Sequence, residues 1–212
     1  MKKSTSELTF EYIQEHPYIK NCLKKGLINY SSLSRLIAKE LNLEKKTSKE
    51  AILIAARRAH EKLKKESINE KKIKSLLKKS EVSIKNKISV LILNKSYDLD
   101  YLIEYQKKVK KESGMMNILE GTDNYTVVTQ DKYANKLYEK FQDDVIKFHK
   151  DLAIIDLKSP EEIEKITGVV SYVTSIFAEN GVNILEFLSC WRDTIFVIEK
   201  KYVNKVIKFL NF

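Results

Sequence analysis

The feature of this sequence that most constrains its fold is an internal repeat in the C-terminal part. The tetrapeptide Asn-Ile-Leu-Glu at 117–120 recurs unchanged at 183–186. Further along, Tyr-Ala-Asn-Lys at 133–136 recurs as Tyr-Val-Asn-Lys at 202–205. Because the two matches occur in the same order, we expect two copies of one unit. The two copies of the second match are three residues further apart in the sequence than the two copies of the first match. We expect a hairpin to accommodate these three extra residues.

Each copy shows the same succession of hydrophobic patterns: a strand, a helix, a hairpin and a second helix. In the first copy these elements are predicted at 88–93, 98–111, 116–120 with 125–129, and 131–142. In the second copy they are predicted at 152–157, 168–180, 182–189 with 194–199, and 202–210. Such βαββα units form a ferredoxin-like sheet with helices on one face, and the first strand of the second copy is a candidate fourth strand for the first.

The positive charge of the chain is concentrated in its first 90 residues. They contain 22 Lys and Arg against 10 Asp and Glu, whereas the rest of the chain contains 17 against 19. An asymmetry of this kind suggests that the basic part has an anionic partner.

Apolar residues spaced by three and four predict helices at 6–15, 17–25, 31–41 and 47–65. Pro17 separates the first two, Gly26 ends the second, and Thr47 with Glu50 has the spacing of a capping box at the start of the fourth. The last two helices and the turn at 42–46 are consistent with a helix-turn-helix or winged-helix domain. Residues 67–86 predict one further amphipathic helix as a connector.

The fourth helix and the turn before it carry the basic residues expected to neutralise DNA phosphates. These candidate DNA-binding residues are Lys45, Lys46, Lys49, Arg57, Arg58 and Lys62. The alternative is a small helical bundle whose lysine-rich face is solvated and serves dimerisation or docking.

Residues 167–186 of the second copy carry a more specific pattern. Gly168 opens a helix, Asn180 and Gly181 end it, and Asn183 with Ile184 begins the next strand. The pattern resembles the ACT domain family, and the hairpin that follows is similar to ACT domains of the aspartokinase branch. The first copy resembles the family only through the repeat, and it lacks a glycine at the start of its first helix.

The resemblance implies a site for a small effector such as an amino acid, at an interface between domains. ACT ligands contact the loop before the first helix and the start of the second strand, which here nominates Thr167, Gly168, Val169, Asn183 and Ile184. A glycine lets the loop approach a ligand closely, and the free N–H groups of a helix start suit a carboxylate. Many ACT domains serve assembly alone, and in that case the glycines serve only the turns.

No catalytic signature is found in the sequence. His16, His60 and His149 have no metal-ligand spacing, and there is no glycine-rich phosphate loop or nucleophile elbow. The kinase domain that accompanies aspartokinase-like ACT pairs is missing. We therefore expect a non-catalytic protein with no metal and no cofactor other than an amino-acid effector.

The same patterns suggest a cytoplasmic protein. No apolar run reaches the ~18 residues of a membrane helix, and no hydrophobic signal core follows Met1. Cys22 and Cys190 are accordingly expected to be free thiols.

The predicted fold class is α+β. It comprises a basic helix-turn-helix-like domain at 1–66, a connector helix at 67–86, a diverged first ACT-like unit at 87–148 and a second ACT domain at 149–212. One predicted function is an amino-acid-sensing transcriptional regulator that binds DNA. The alternative is a stand-alone ACT regulatory or assembly subunit that binds an enzyme of amino-acid metabolism. Either would form a homodimer or a higher homo-oligomer.

Overall fold

A computed structural model describes residues 3–45, 47–64, 70–95 and 99–210. The chain divides into two compact units, Met1–Ile68 and Asn69–Phe212. The described part of the first unit is helical, and the second unit combines helices with an antiparallel sheet.

The first unit contains helices α1 (Thr5–Glu15), α2 (Pro17–Lys24), α3 (Tyr30–Glu40) and α4 (Lys49–Lys64). These bounds agree with the predicted ones within two residues. Helix α1 begins with a capping box, in which the Ser4 hydroxyl accepts from the Glu7 N–H and the Glu7 carboxylate accepts from the Ser4 N–H at 2.7 Å. Pro17 occupies the first turn of α2, where its missing N–H costs nothing.

The capping box predicted at Thr47 and Glu50 is wrong. The Ser48 hydroxyl caps α4 instead, accepting from the Ala51 N–H at 3.1 Å. The Thr47 hydroxyl lies 3.3 Å from that of Thr5. Since α4 begins one residue after Ser48, Glu50 is the second helical residue and has the wrong spacing to complete a box with Ser48.

The core of the first unit forms around α4. Three alanines on its buried face, Ala55, Ala56 and Ala59, allow the neighbouring helices to approach closely. The largest fully buried side chains of this unit are Ile13, Leu23, Ile37, Ile52 and Leu63.

The second unit begins with helix α5 (Glu70–Leu77), followed by two βαββα halves. The first half is β1 (Glu81–Asn94), α6 (Leu99–Lys111), β2 (Met116–Glu120), β3 (Asn124–Gln130) and α7 (Asp131–Lys140). The second half is β4 (Val145–Lys158), α8 (Val169–Glu179), β5 (Glu186–Cys190), β6 (Asp193–Glu199) and α9 (Val203–Leu210). The helix expected over 67–86 is therefore shorter, because Glu81 already begins a strand that pairs with β4.

The six strands form one antiparallel sheet in the order β2-β3-β1-β4-β6-β5. The central strands β1 and β4, with 14 residues each, pair along nearly their whole length. The expectation that the first strand of the second copy completes the sheet of the first copy is confirmed. The exchange is mutual, since β1 also lies beside β4 as the fourth strand of the second half.

Two bulges lie at equivalent places in β1 and β4. Lys87 (φ +59°) and Asp151 (φ +55°) both have left-handed backbone, and the β1–β4 register shifts around Ile88. The extra residue reverses the alternation of side chains. Ile84, before the bulge, faces the helices of the second half, whereas Ile88, after it, faces the opposite side of the sheet. The bulges thus allow each long strand to serve the cores of both halves.

The second unit has a hydrophobic core on each face of the sheet. Helices α6 and α7 cover one half of the first face, and α5, α8 and α9 cover the other half. The buried core of the opposite face consists only of strand residues, namely Ile88, Val90, Val128, Leu152, Ile154, Leu188 and Val197. Their burial shows that the sheet curls over this face.

The register of the sheet corrects the predicted repeat. Asn117 pairs with Val128 and Glu186 pairs with Val197, and these two valines occupy equivalent positions in β3 and β6. The counterpart of Asn117 is therefore Glu186 and not Asn183. The Asn-Ile-Leu-Glu match is three residues out of register, and the prediction that the hairpin holds three extra residues is wrong.

Candidate functional site

The loop between β4 and α8 is the largest difference between the two halves of the second unit. It runs from Ser159 to Gly168 and contains a short 3₁₀ helix, Glu161–Lys165. In the first half only residues 95–98 separate β1 from α6. The longer loop carries the glycine that the first half lacks.

The start of this loop is fixed by hydrogen bonds from two directions. The N–H of Ser159, a fully buried residue, donates to the Arg192 carbonyl at 2.8 Å, and the Arg192 Nε donates to the Ser159 carbonyl at 2.8 Å. The Ser159 hydroxyl lies 3.0 Å from that of Ser80, which follows α5. The loop is thereby held to the β5–β6 hairpin and to the start of β1.

The end of the loop leaves the start of α8 without a side-chain cap. Gly168 is the N-cap residue, with φ +90°, a conformation that favours glycine. Its carbonyl accepts the first helical hydrogen bond, from the Tyr172 N–H at 2.9 Å. The three helical residues before Tyr172 have N–H groups without an acceptor inside the helix, and the first turn contains no acidic residue. The positive end of the helix dipole is thus available to an anion.

An open cleft of ≈ 570 Å³ lies at this helix start. Its lining residues are Ile163, Ile166, Gly168, Val169, Val170, Ser171 and Thr174. The Thr174 hydroxyl donates to the Val170 carbonyl at 2.9 Å, within the helix. The cleft therefore combines apolar walls with free backbone donors, which suits a small molecule with one carboxylate and an apolar part.

The predicted ligand residues are only partly brought together. Gly168 and Val169 line the cleft, and Thr167 is the exposed residue before them. Asn183 and Ile184 lie in the connection between α8 and β5 and are not among the lining residues; Ile184 packs against the core that contains Val169.

The prediction missed five lining residues, one of which is Val170, the residue after Val169. Ser171 and Thr174, three residues apart on α8, could have been found from helical spacing. Ile163 and Ile166 belong to the 3₁₀ segment and the residue after it, which no pattern in the sequence indicates.

The predicted DNA-binding residues are exposed but spread around α4. Lys45, Lys49, Arg57, Arg58 and Lys62 are all exposed, and Lys46 lies outside the described residues. The Arg57 guanidinium lies 5.6 Å from the centre of the Tyr30 ring of α3, and the Lys62 ammonium lies 4.9 Å from the centre of the Phe10 ring of α1.

Acidic and apolar side chains separate these basic residues. At about 100° per residue, Glu50, Ile54 and Glu61 fall between Arg57 and Arg58 on the exposed side of the helix. Ile54 is 49% exposed. The exposed side of α4 is therefore mixed in character and not a continuous basic patch.

Within the described ranges, no helix is both long enough and apolar enough to span a bilayer. Nor does this part of the chain gather three His, Cys, Asp or Glu side chains where a metal ion could be held. Cys22 and Cys190 are free and exposed.

Comparison with known proteins defines the fold of the sheet-bearing part. No model of a protein family matches the sequence, and no curated protein matches it. Solved structures do match, and the similarity to an aspartate kinase with a TM-score above 0.5 shows an ACT-like fold.

The allosteric aspartate kinase of Clostridium acetobutylicum matches with a TM-score of 0.51 and 14% identity, over 61% of this chain and 33% of the kinase. The regulatory subunit of aspartate kinase from Thermus thermophilus gives a TM-score of 0.48 and 11% identity, over 61% of this chain and 92% of the subunit. Aspartokinase III of E. coli, in complex with lysine and aspartate, gives a TM-score of 0.45 and 12% identity, over 61% of this chain and 31% of the aspartokinase. This chain thus spans about a third of the length of the Clostridium enzyme.

Proposed function

We propose that this chain is a non-catalytic regulatory protein whose second unit binds an amino acid in the cleft at the start of α8. The observation that carries the proposal is the uncapped helix start at Gly168, which opens into a cleft with apolar walls. The ligand carboxylate accepts from the N–H groups of the first turn, and its carbon chain lies against Ile163 and Ile166.

The size and chemistry of the cleft support binding without catalysis. Its volume of ≈ 570 Å³ lies in the range of about 300–1,000 Å³ typical of small-molecule sites. Its lining side chains are aliphatic or carry a hydroxyl, so none of them has the carboxylate, imidazole or amine that usually acts as a general base. The ACT-like fold shared with an allosteric aspartate kinase is consistent with a regulatory role.

A thermal-shift screen of the full chain against the twenty L-amino acids tests this proposal. A ligand at about one hundred times its Kd stabilises by about 2.7 kcal/mol, so at least one amino acid is expected to raise the Tm by several degrees. A flat response to all twenty contradicts the proposal and favours a role in assembly alone.

Substitution of Ser171, the third residue of α8, locates the site. In Ser171→Glu a carboxylate enters the cleft, which repels the ligand carboxylate while slightly favouring the helix start. Ser171→Gln adds the same bulk without the charge. Loss of the thermal shift in the glutamate variant, with at least part of it kept in the glutamine variant, is the expected result.

For the output of the sensor we propose docking of the first unit on a partner enzyme of amino-acid metabolism. The mixed exposed side of α4, with Ile54 between Glu50 and Glu61, favours a protein partner over a phosphate backbone. We expect an enzyme to co-purify with the chain and its activity to respond to the amino acid. Loss of co-purification in Ile54→Asp, but not in Glu44→Asp on the turn before α4, locates the contact.

A transcriptional regulator is the second candidate, because residues 1–68 contain 15 Lys and Arg against 8 Asp and Glu. It predicts salt-dependent binding to genomic DNA fragments, reduced by Arg58→Ala with Lys62→Ala. Absence of such binding, with and without amino acids, rules this candidate out.

Both candidates include a homodimer or higher oligomer. Strands β2 and β5 are the two ends of the sheet, and each has one backbone edge without a strand neighbour among the described residues. Sedimentation equilibrium is expected to give a mass of at least twice 24.7 kDa.

A further inference from the structure

A second groove of ≈ 320 Å³ adjoins the cleft at the start of α8. Its lining residues are Lys71, Lys72, Ser75, Leu76, Lys79, Glu162 and Ile166. Ile166 lines both concavities, so the groove and the cleft are neighbours that share this residue. Helix α5 and the turn after it form one wall of the groove, and the loop before α8 forms the other.

The charge of this groove comes from the basic segment around α5. Residues 69–90 contain seven Lys against Glu70 and Glu81, a net charge of +5. This part of the positive charge was counted with the N-terminal helices, but it belongs to the second unit. Lys74 is paired with Glu70 at 2.9 Å. Lys71, Lys72 and Lys79 line the groove, opposite Glu162. The groove therefore offers cations on one wall and a single carboxylate on the other.

Helix α5 is held in place by the same core that supports the cleft. Ile73, Leu76 and Leu77 are buried with Val169 of α8. A Cβ atom at Gly168 would lie 3.7 Å from the Ile73 Cδ1, and the Ser80 hydroxyl reaches that of Ser159 at 3.0 Å. A helix of eight residues is marginal on its own, so the position of α5 depends on these contacts with the loop and α8.

We propose that the groove and the cleft form one site for an acidic amino acid, with its two carboxylates on either side of Ile166. This inference rests on the proposed function and names the class of ligand. One carboxylate accepts from the N–H groups at the start of α8. The other lies among Lys71, Lys72 and Lys79, and Glu162 accepts from the ammonium group of the ligand.

This arrangement makes α5 part of the sensor. A ligand held by both α5 and α8 adds contacts that exist only while α5 is docked, so binding stabilises that position. Helix α5 is the first element of the second unit, and α4 is the element that precedes it in the sequence.

Calorimetric titration of the full chain with matched amino acids tests the inference. L-Aspartate and L-glutamate differ from L-asparagine and L-glutamine mainly in the charge of the side-chain group. Charge-assisted hydrogen bonds are stronger than neutral ones by an amount that corresponds to about tenfold in affinity. At least one of the acids is therefore expected to bind about tenfold more tightly than its amide.

Charge reversal on α5 locates the second carboxylate. Lys72→Glu is expected to abolish the preference for the acid over the amide. Lys78→Glu makes the same change at an exposed residue that does not line the groove, and it should keep the preference. Hydrogen exchange of the amides at 70–79 is expected to slow when the acid binds.

The outcomes separate the two proposals. If an amino acid binds but the acids have no advantage, or Lys72→Glu binds as the wild type does, the groove is not part of the site and only this inference fails. If no amino acid binds, the proposed function fails with it. Protection confined to residues 166–172, with none on α5, also overturns the inference.

Discussion

Asp156 is the position where a single substitution is expected to stabilise the second unit. It lies in β4, where its neighbours across the strands are Ser83 and Ile195, and its Oδ1 atom is buried with no hydrogen-bond partner among the described residues. Burial raises the pKa of this carboxyl above its usual 3.8, the negative charge of Asp193 raises it further, and Lys85 and Lys158 partly offset both effects. The residue at the equivalent position of β1 is the apolar Ile92.

Asp156→Asn removes the buried charge while keeping the shape of the side chain. Burying a charge costs more than burying the neutral amide that replaces it, and solvent screening at the partly exposed Asp156 limits the expected gain to about 1 kcal/mol. For a unit of this size that corresponds to a rise in Tm of about 3 °C. Urea unfolding followed by the fluorescence of Trp191, the only tryptophan of the chain, reports on this unit.

The pH dependence gives a second signature of the same carboxyl. Because native Asp156 holds its proton more tightly than the unfolded chain does, the free energy of unfolding falls as the pH rises from about 3.8 through the higher folded pKa. In Asp156→Asn this fall is expected to be smaller. Asp151→Asn, at an exposed position with φ +55°, is the matched control and should change stability by less than about 0.5 kcal/mol. A destabilised Asp156→Asn, or one with the pH dependence of the wild type, refutes this reasoning.

Three further substitutions test the packing and the helix caps. Tyr12→Phe removes the hydrogen bond to Glu40 (2.8 Å) and is expected to cost about 1 kcal/mol in thermal unfolding; an unchanged Tm contradicts it. Ser48→Ala should lower stability by about 1 kcal/mol in urea unfolding, and an equal effect of Thr47→Ala would mean that the cap is wrongly assigned. Phe177→Ala removes a fully buried ring and should cost about 3–5 kcal/mol in the Trp191-detected transition; a loss below about 1 kcal/mol would show a loosely packed core.

The sequence predicted the order of the elements well because hydrophobic periodicity records local burial. The helices of the first unit and the two βαββα series follow directly from this spacing. The early part of β1 was missed, since residues 81–87 are mostly exposed and become a strand only by pairing with β4. That pairing joins residues far apart in the chain, and no local pattern indicates it.

The lining of the cleft at the start of α8 was predicted less completely than the fold. Gly168 was found because a left-handed residue at a helix start leaves a trace in the sequence as glycine. The short tetrapeptide repeat misled the alignment of the copies, because it matches three residues before β5 and the first residue of β5 to residues inside β2. The groove beside α5 was not foreseen, because the lysines of α5 were counted with the N-terminal helices. Packing assigns them to the second unit.

The two glycines at the ends of α8 offer the most direct test of the proposed effector site. Gly168 (φ +90°) and Gly181 (φ +63°) both have left-handed backbone, and a Cβ atom would have room at either position. Alanine should therefore destabilise both variants to a similar degree, by about 1 kcal/mol. With the amino acid that most stabilises the wild type, the rise in Tm should persist in Gly181→Ala and be lost in Gly168→Ala. An equal rise in both variants would show that the ligand binds away from the start of α8 and would contradict the account.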